Sequence, residues 1–329
     1  LNKYAEDNNL INDDFSLWGA GKFYTGRDFE SSNFIKMNTK DEYLGGNSRY
    51  VLKRDGTLWG HEFTTINGKI EISLTNQVGT ESGFLYISNA TSNTMLLKQD
   101  GSLWGFGHNG DYELGLGHNN IVYNPVRINN SKYIRLSSTG LTSIMIRDDN
   151  TMWGVGQNSN CCLGLPYDGD RITTITKLND DKWLDVVTDG SVTFGIKMDG
   201  SLWYWGGKIG ELVFTDNKTR LGNTNDFVKL ADNISGSSTF IIKNDGSVWA
   251  VGRNDNGQLG TGSTSNIYNP VKINDTPFKY IYISGGISTF KTHIIKQDGT
   301  LWATGCNTDG QLGVGHKNNV YRFVKVNNN

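Results

Sequence analysis

Seven tryptophans recur along the chain at a nearly constant spacing, and this repeat limits the possible folds more than any other feature. The marker residues are Trp18, Trp59, Trp104, Trp153, Trp203, Trp249 and Trp302. Successive markers lie 41, 45, 49, 50, 46 and 53 residues apart, which is the period of propeller blades and similar arrays. Trp183 and Trp205 lie outside the series. The sequence therefore predicts seven copies of one structural unit.

Each unit carries the signs of short strands joined by tight turns. An apolar segment leads to a turn pair: Asp55-Gly56, Asp100-Gly101, Asp149-Asn150, Asp199-Gly200, Asp245-Gly246 or Asp298-Gly299. Such pairs suit the positive φ angles of a two-residue hairpin turn. The next strand contains the marker Trp, and a last strand closes the unit, most clearly at residues 123–128, 268–273 and 321–326. Pro125 and Pro270 at the start of this last strand favour an outer, edge position.

Four units continue past the marker with an Asn and, five residues later, a Leu-Gly pair. They are Asn109 with Leu114-Gly115, Asn158 with Leu163-Gly164, Asn254 with Leu259-Gly260, and Asn307 with Leu312-Gly313. We expect the Asn to bond its own backbone, the Leu to anchor the loop in the core and the Gly to permit a reversal. The units of Trp18, Trp59 and Trp203 lack this loop.

These features predict an all-β fold, a seven-bladed β-propeller of four-stranded blades in which residues 1–329 form a single domain. A propeller can reach this size because each unit packs only on its neighbours around the ring. The chain ends after the strand at 321–326, and Lys3-Tyr4 at its start resembles the segment that should follow. We therefore expect the N- and C-terminal segments to close the ring and remove exposed sheet edges.

Residues 245–262 and 298–315 carry the complete pattern, with Asp-Gly-x-hydrophobic-Trp followed by Asn-x-x-Gly-Gln-Leu-Gly-x-Gly. These units resemble the repeats of the regulator of chromosome condensation family, and through the seven markers the resemblance covers essentially the whole chain. It implies a seven-bladed β-propeller. Members of that family include a nuclear guanine-nucleotide exchange factor, plant photoreceptors and a secreted bacterial inhibitor of β-lactamases, so the resemblance implies no single activity.

Charge, hydropathy and cysteine content restrict the partners. The formal net charge is -2 and Lys and Arg are spread over the units, which argues against a nucleic-acid partner. The sequence contains no apolar run of about 18 residues, so we expect no membrane span. The chain begins with Leu1, which suggests a processed mature chain or an excised domain. Its repeats are closest in style to those of bacterial secreted members of the family, so we expect a secreted or cell-surface protein. Three cysteines cannot form a disulfide framework.

The sequence shows no pattern typical of catalysis or metal binding. The five histidines lack zinc-ligand spacing, and neither a phosphate-binding loop nor a nucleophile elbow occurs. We therefore expect no enzymatic activity, no catalytic residues, no cofactor and no metal. Cys161-Cys162 replaces the Gly-Gln pair of its loop, and a substitution within the loop is favoured over a reactive thiol pair because no basic neighbour would lower a thiol pKa.

Candidate partner-binding residues are the aromatic side chains that depart from the repeat. Phe23, Tyr24, Phe63, Tyr112 and Tyr167 follow a marker strand and are assigned to loops, and Tyr204 replaces the small residue that follows most markers. Aromatic side chains on a rigid rim supply contact area at low entropic cost. Local packing is the alternative for each. Trp205, Tyr123, Tyr268 and Tyr321 have equivalents in other units and are predicted to be structural.

The predicted function is a monomeric, non-enzymatic module that binds a protein partner of unknown identity through one end of the propeller. It would serve as a secreted inhibitor or as a receptor- or host-binding domain. One alternative is a guanine-nucleotide exchange factor for a small GTPase, which would need a wedge-like insertion that the sequence does not reveal. The other is a glycan-binding propeller, for which carboxylates should converge on one face.

Overall fold

The computed structural model describes residues 18–24, 28–36, 43–46, 49–66, 69–88, 92–166, 171–207, 209, 214–231, 234–284 and 289–326. All regular secondary structure in these residues is β-strand. The strands form seven antiparallel units, each with one marker tryptophan. We number them blades 1 to 7 in chain order. The prediction of an all-β, seven-bladed propeller is confirmed.

Blades 2 to 7 have four strands each, in chain order across the sheet, and two strands of blade 1 are described. Blade 1 comprises β1 (Trp18–Tyr24) and β2 (Asp28–Lys36). Blade 2 comprises β3 (Tyr43–Gly46), β4 (Tyr50–Lys53), β5 (Leu58–Ile66) and β6 (Lys69–Gln77). Blade 3 comprises β7 (Phe84–Ile87), β8 (Asn93–Lys98), β9 (Ser102–Gly107) and the first part of β10 (Val122–Ser138).

Blade 4 comprises the rest of β10, β11 (Thr142–Arg147), β12 (Thr151–Gly156) and the first part of β13 (Ile172–Thr188). Blade 5 comprises the rest of β13, β14 (Val192–Lys197), β15 (Leu202–Gly207) and β16 (Phe214–Leu221). Blade 6 comprises β17 (Phe227–Leu230), β18 (Ser238–Lys243), β19 (Val248–Gly252) and β20 (Ile267–Asn274). Blade 7 comprises β21 (Tyr280–Ser284), β22 (Lys291–Ile295), β23 (Leu301–Gly305) and β24 (Val320–Lys325).

Two strands pass from one blade to the next without interruption. β10 pairs with β9 between residues 122 and 132 and with β11 between 133 and 138. β13 makes the same passage from blade 4 to blade 5. Each is therefore the last strand of one blade and the first strand of the following blade.

The first strand of each blade is the innermost one, because neighbouring blades approach each other there. Arg135 on β10 forms a buried ion pair with Asp185 on β13, and its Nη2 lies 3.3 Å from Asp185 Oδ2. The backbone N–H of Leu230 on β17 donates to the same carboxylate over 2.8 Å. The fourth strand consequently lies outside, as predicted for residues 123–128 and 268–273.

The apolar core lies between consecutive blades. Between blades 4 and 5, for example, the rings of Trp183 and Trp205 are 5.4 Å apart and both are fully buried. Trp205 Nε1 also donates to the carbonyl of Cys162 over 2.8 Å. The prediction that Trp205 is structural is confirmed, and the stacking of blades explains why apolar residues recur in both faces of each sheet.

The Asp-Gly pair and the marker tryptophan form one repeated corner at the turn between the second and third strands. The Asp carboxylate accepts bonds from the N–H and hydroxyl of the Ser or Thr two residues later, and that hydroxyl accepts the Trp Nε1–H over 2.7–3.0 Å. A Lys or Arg two residues before the Asp lies over the Trp ring. The corner occurs at Asp55/Thr57/Trp59, Asp100/Ser102/Trp104, Asp149/Thr151/Trp153, Asp199/Ser201/Trp203, Asp245/Ser247/Trp249 and Asp298/Thr300/Trp302.

The prediction that Phe23, Tyr24 and Phe63 lie in loops is wrong, because their backbones belong to long hairpins. β1 pairs with β2 as far as Tyr24 opposite Asp28, and β5 pairs with β6 as far as Ile66 opposite Lys69. In these blades no Asn loop interrupts the ladder, so the third strand continues to pair with the outer strand beyond the usual end of the blade.

All four strands of blade 7 come from residues 280–325. The contact that we predict for Lys3-Tyr4 lies outside the described residues. The part of the chain that the structure describes contains no helix that is long and apolar enough to cross a membrane.

Candidate functional site: the loop end of the propeller

The connections between the third and outer strands lie together at one end of the ring, which we call the loop end. Strand direction alternates within a blade, so these connections emerge opposite the Asp-Gly corners. The backbone of His108 donates to the carbonyl of Ser92 over 3.0 Å, which joins this connection to the turn between the first and second strands. Tyr112 belongs to such a connection, and Phe23, Tyr24 and Phe63 belong to the hairpins that replace it in blades 1 and 2.

The four Asn loops are built as the sequence predicts. In each loop the Asn Oδ1 accepts the N–H of the Leu five residues later over 2.9–3.0 Å. The Asn Nδ2 donates to a carbonyl farther along the loop, for example from Asn254 to Ser263 over 2.9 Å. The Asn and Leu side chains are buried. The loop is therefore a rigid platform rather than a mobile connection.

Tyr112 occupies a position that two sister loops fill with glycine. Its φ angle is 62°, and the equivalent Gly257 and Gly310 have φ angles of 73° and 77°. A left-handed conformation is uncommon for a bulky residue and costs about 1–2 kcal/mol. Gly257 is needed in its loop because a β-carbon there would lie 2.5 Å from the ring of Tyr321. The corresponding residue beside the Tyr112 loop is the smaller Thr173, so a side chain can be accommodated.

Charged groups flank Tyr112 on both sides. His108 Nδ1 lies 2.7 Å from Glu113 Oε1, and Glu113 is fully buried. The other carboxylate oxygen of Glu113 accepts the N–H of Asp111 over 2.9 Å, and the Asp111 side chain pairs with Arg171. Glu113 stands where another loop has Gln258, whose Oε1 accepts the equivalent N–H. Sequence reasoning missed this cluster, although Glu in place of Gln was a visible signal.

The structure separates Tyr204 from the other candidates. Tyr204 lies within β15, pairs with Phe194 on β14 and stacks on its ring at a centroid distance of 6.1 Å. It is half-buried against the core between blades 5 and 6. Tyr167 lies outside the described residues, and for Phe23, Tyr24 and Phe63 only the backbone position is described. The structure thus places the backbones of five of the six candidates, four of them at the loop end.

The two adjacent cysteines are structural in their surroundings. Cys161 has a φ angle of 54° at the glycine position of its loop. Cys162 is buried, and burial raises the pKa of its thiol to about 12. A protonated, buried thiol is a poor nucleophile. This supports the prediction that Cys161-Cys162 is a substitution within the loop and not a reactive thiol pair. In the described part of the chain, no group of three or more His, Cys, Asp or Glu side chains is arranged to hold a metal ion.

Three equivalent tyrosines differ from the prediction that they are purely structural. Tyr123, Tyr268 and Tyr321 lie on outer strands, but their side chains are 82%, 57% and 43% exposed. Tyr321 is the least exposed because Gly257 of the preceding blade lies against it. Tyr123 and Tyr268 lie on the outer strands of blades 3 and 6, and the preceding blades, 2 and 5, lack the Asn loop. Their exposure depends on the preceding unit, which explains why a comparison of equivalent positions alone missed it.

Comparison with known proteins agrees with this architecture. The family model described as "Regulator of chromosome condensation (RCC1) repeat" matches residues 245–289. No curated protein sequence matches the chain.

Similar solved structures include yeast RCC1 (Prp20) bound to Kap60, which has 14% sequence identity and a TM-score of 0.74 over 98% of this chain and 87% of that chain. Prp20p from Saccharomyces cerevisiae, described with its binding to Gsp1p and histones, has 14% identity and a TM-score of 0.72 over 100% and 90%. Human WBSCR16 has 16% identity and a TM-score of 0.68 over 90% and 84%. Residues 245–289 thus carry a repeat of the RCC1 type, and the chain as a whole shares the propeller fold of these solved structures.

Proposed function

We propose that this protein is a non-enzymatic interaction module that binds a partner protein through the loop end of its propeller. The observation that carries the proposal is Tyr112. The loop holds a large aromatic side chain in a backbone conformation that two sister loops reserve for glycine. Strain of this kind is typical of sites whose residues serve something other than the fold. Tyrosine is also among the residues most enriched in binding hot spots.

The surroundings of Tyr112 suit a protein surface as partner. The Asn109 bonds and the buried Glu113 fix the loop before any partner arrives, so little entropy is lost on binding. The half-exposed side chains of His108 and Arg171 provide polar groups beside Tyr112. The hairpins β1–β2 and β5–β6 replace the Asn loop in blades 1 and 2, which are consecutive in the chain, and they contain Phe23, Tyr24 and Phe63.

Replacing Tyr112 by glycine tests the proposal because folding and binding should change in opposite directions. Tyr112→Gly relieves the left-handed strain, so we expect the free energy of unfolding to stay level or rise by up to about 1 kcal/mol. We expect affinity for a partner captured by the immobilised wild-type protein to fall at least about tenfold. Urea unfolding and surface plasmon resonance measure the two effects.

Cys161→Gly is the matched control, since it relieves the same strain at the same loop position but removes a buried side chain. We expect it to leave partner affinity unchanged. Equal affinity of wild type and Tyr112→Gly, or an equal loss in both variants, would contradict the assignment of Tyr112. Failure of the wild type to retain any protein specifically would count against the function itself.

Nucleotide exchange is the second candidate. The fold is shared with Prp20p, whose binding to Gsp1p has been characterised, and the long β5–β6 hairpin is a projecting element that could act as a wedge. A fluorescent-GDP release assay with Gsp1p tests this candidate directly. Acceleration that disappears when the tip of the hairpin, residues 64–71, is replaced by a two-residue Asn-Gly turn would favour exchange over simple binding.

We further propose that the protein acts outside the cell or at its surface, in keeping with the resemblance to secreted bacterial propellers. Immunodetection in the medium, in washed intact cells and in lysates tests the location. Signal confined to the soluble lysate would contradict it.

A further inference from the structure

The outer strands of blades 4 and 7 are covered by the Asn loop of the preceding blade. Gly262 N–H donates to the carbonyl of Tyr321 over 2.7 Å, and Thr261 forms a β-bridge with Arg322. In the same way Gly117 N–H donates to Thr173 over 3.1 Å, beside a bridge between Leu116 and Thr174. The loop therefore occupies the free hydrogen-bonding edge of the next sheet.

These bonds identify which backbone groups of the outer strand face outward. The N–H and C=O of one residue point to the same side of a strand, and the side alternates from residue to residue. Because the Tyr321 carbonyl bonds the covering loop, the N–H of Phe323, two residues on, also faces outward. Ile175 is the equivalent position in blade 4. A β-carbon on Gly260 or Gly115 would lie 2.5 or 2.7 Å from Phe323 or Ile175, which confirms how closely the loop covers this position.

Blades 3 and 6 follow blades 2 and 5, which have no Asn loop, and both carry proline at this outward position. Their outer strands share the sequence Tyr-Asn-Pro-Val-(Arg/Lys)-Ile at residues 123–128 and 268–273. Pro125 approaches Gly79 of the preceding blade, where a β-carbon would lie 3.1 Å from its ring. The corresponding distance from Gly222 to Pro270 is 4.0 Å. In blades 3 and 6 a contact between Gly and Pro therefore replaces the bridge that joins the Asn loop to the outer strand in blades 4 and 7.

The edges beside these prolines are open to solvent. Tyr123 is 82% exposed and Tyr268 is 57% exposed, and Ile121 beside Tyr123 is also exposed. An open strand edge with aromatic and β-branched side chains is a template on which a strand of another chain can pair. Proline lacks the N–H that such pairing requires, and natural sheets use it at edges for this reason.

We propose that Pro125 and Pro270 guard the outer strands of blades 3 and 6 and prevent them from pairing edge to edge with a second copy of this chain. Both prolines follow a blade without the Asn loop, and in the two covered blades whose bridges are described the position holds Ile175 or Phe323. In blade 2, which also follows a blade without this loop, the outer strand β6 contains no proline. The inference is independent of the partner-binding proposal, because it rests on Pro125 and Pro270 of the outer strands and not on Tyr112 or its loop.

A pair of double variants tests the guard. Pro125→Ile with Pro270→Ile restores the outward N–H and supplies the residue found in blade 4. Pro125→Lys with Pro270→Lys also restores the N–H and loses the same Gly79 and Gly222 contacts, but adds a charge that disfavours edge pairing. We call these double variants the Ile pair and the Lys pair. We expect the Ile pair to associate as its concentration rises, so that light scattering reports at least twice the 36.5 kDa mass of the single chain. Wild type and the Lys pair should remain monomeric.

A folded Ile pair that stays monomeric at every concentration tested would overturn the proposal, and so would equal association of the Lys pair. If the Ile pair cannot be obtained in folded form, hydrogen exchange of the Lys pair decides. The new amides at positions 125 and 270 should exchange at nearly the rate of an unstructured peptide, because they face solvent. Protection of these amides in the monomer would show that the position does not face outward and would end the inference.

Discussion

His293 is a polar side chain at a position that other blades fill with an apolar one. It is the third residue of the second strand, where blades 5 and 6 have Phe194 and Phe240. Burial, followed by the charge of Lys291, lowers the pKa of His293 to about 3. The imidazole is therefore neutral in the folded protein at ordinary pH, and its protonation is linked to unfolding.

We predict that His293→Phe removes one component of the acid sensitivity. Above about pH 6.5 the imidazole is neutral in both states, so it adds no pH dependence. As the pH falls below that value the unfolded chain binds a proton that the folded chain does not, and stability decreases by at most about 1.4 kcal/mol per pH unit until the folded pKa is reached. Urea unfolding between about pH 7 and pH 4 measures the slope.

His118→Phe is the control, because His118 is exposed in its loop and should leave the slope unchanged. A His293→Phe variant whose stability falls with pH as steeply as that of the wild type would show that the buried imidazole is not the responsible group.

The structural role of a single residue can be predicted from sequence when its contacts lie within its own loop or turn. The bonds of Asn254 and its equivalents follow from the residue type and spacing, and the loop assignment of Cys161-Cys162 agrees with their burial. Tyr112 was singled out from sequence as an aromatic residue, but its left-handed backbone was not foreseen, because it appears only when the residue is aligned with Gly257. The exposure of Tyr123 depends on a different blade and could not be inferred from its own unit.

At the scale of the element, the Asp–Ser/Thr–Trp corner explains why the marker motif recurs. Bonds from the Ser or Thr lower the pKa of the Asp carboxyl in all six described corners. A lowered folded pKa gives stability that is present above about pH 4 and is lost as the pH falls through the folded value. The corners therefore act together as an acid-sensitive component of the fold.

We predict that Ser201→Ala destabilises the protein by about 1–2 kcal/mol at neutral pH, since Asp199 and Trp203 each lose a partner. The hydrogen bonds from Ser201 hold the pKa of Asp199 below its usual range, so the loss should shrink at acid pH only once the carboxyl is protonated in both variant and wild type. Thr300→Ser keeps the hydroxyl in the equivalent corner and should change stability by less than about 0.5 kcal/mol. Chemical denaturation at the two pH values checks both; a pH-independent loss would contradict the linkage.

The long hairpins show where element prediction from sequence ends. The sequence correctly predicts that the Trp18 and Trp59 units lack the Asn loop. It does not predict that a long β-hairpin replaces this loop. Without the Asn loop, residues such as Phe63 and Ile72 continue the ladder between β5 and β6. Alternation over a few residues does not distinguish an extended loop from a strand, because pairing with a second strand decides the outcome.

At the scale of the whole molecule, the Arg135–Asp185 pair joins the inner strands of blades 4 and 5, and Leu230 extends the link to blade 6. We predict that Asp185→Ala costs about 3–5 kcal/mol, because it removes the carboxylate with which the buried Arg135 guanidinium forms an ion pair. Adding Arg135→Met should restore most of the loss. A double-mutant cycle in urea measures the coupling. A coupling energy below about 0.5 kcal/mol would show that the pair contributes little to blade association.

The number of blades and their four-stranded plan were predictable because both follow from a repeat that is written seven times. Closure of the ring was argued from Lys3-Tyr4, which the described residues do not include. The inter-blade ion pair was not foreseen, since Arg135 and Asp185 lie 50 positions apart and only the circular arrangement brings them together.

The continuity of β10 and β13 has a consequence for how such a ring can be shortened or enlarged. A cut at the boundary between blades 3 and 4 would divide β10 and leave each of these blades with an incomplete strand at its end. At these two boundaries a gene duplication or deletion that preserves the ring must therefore break within a blade, at an Asp-Gly corner or in a surface loop, so that the inherited segment does not coincide with the structural blade.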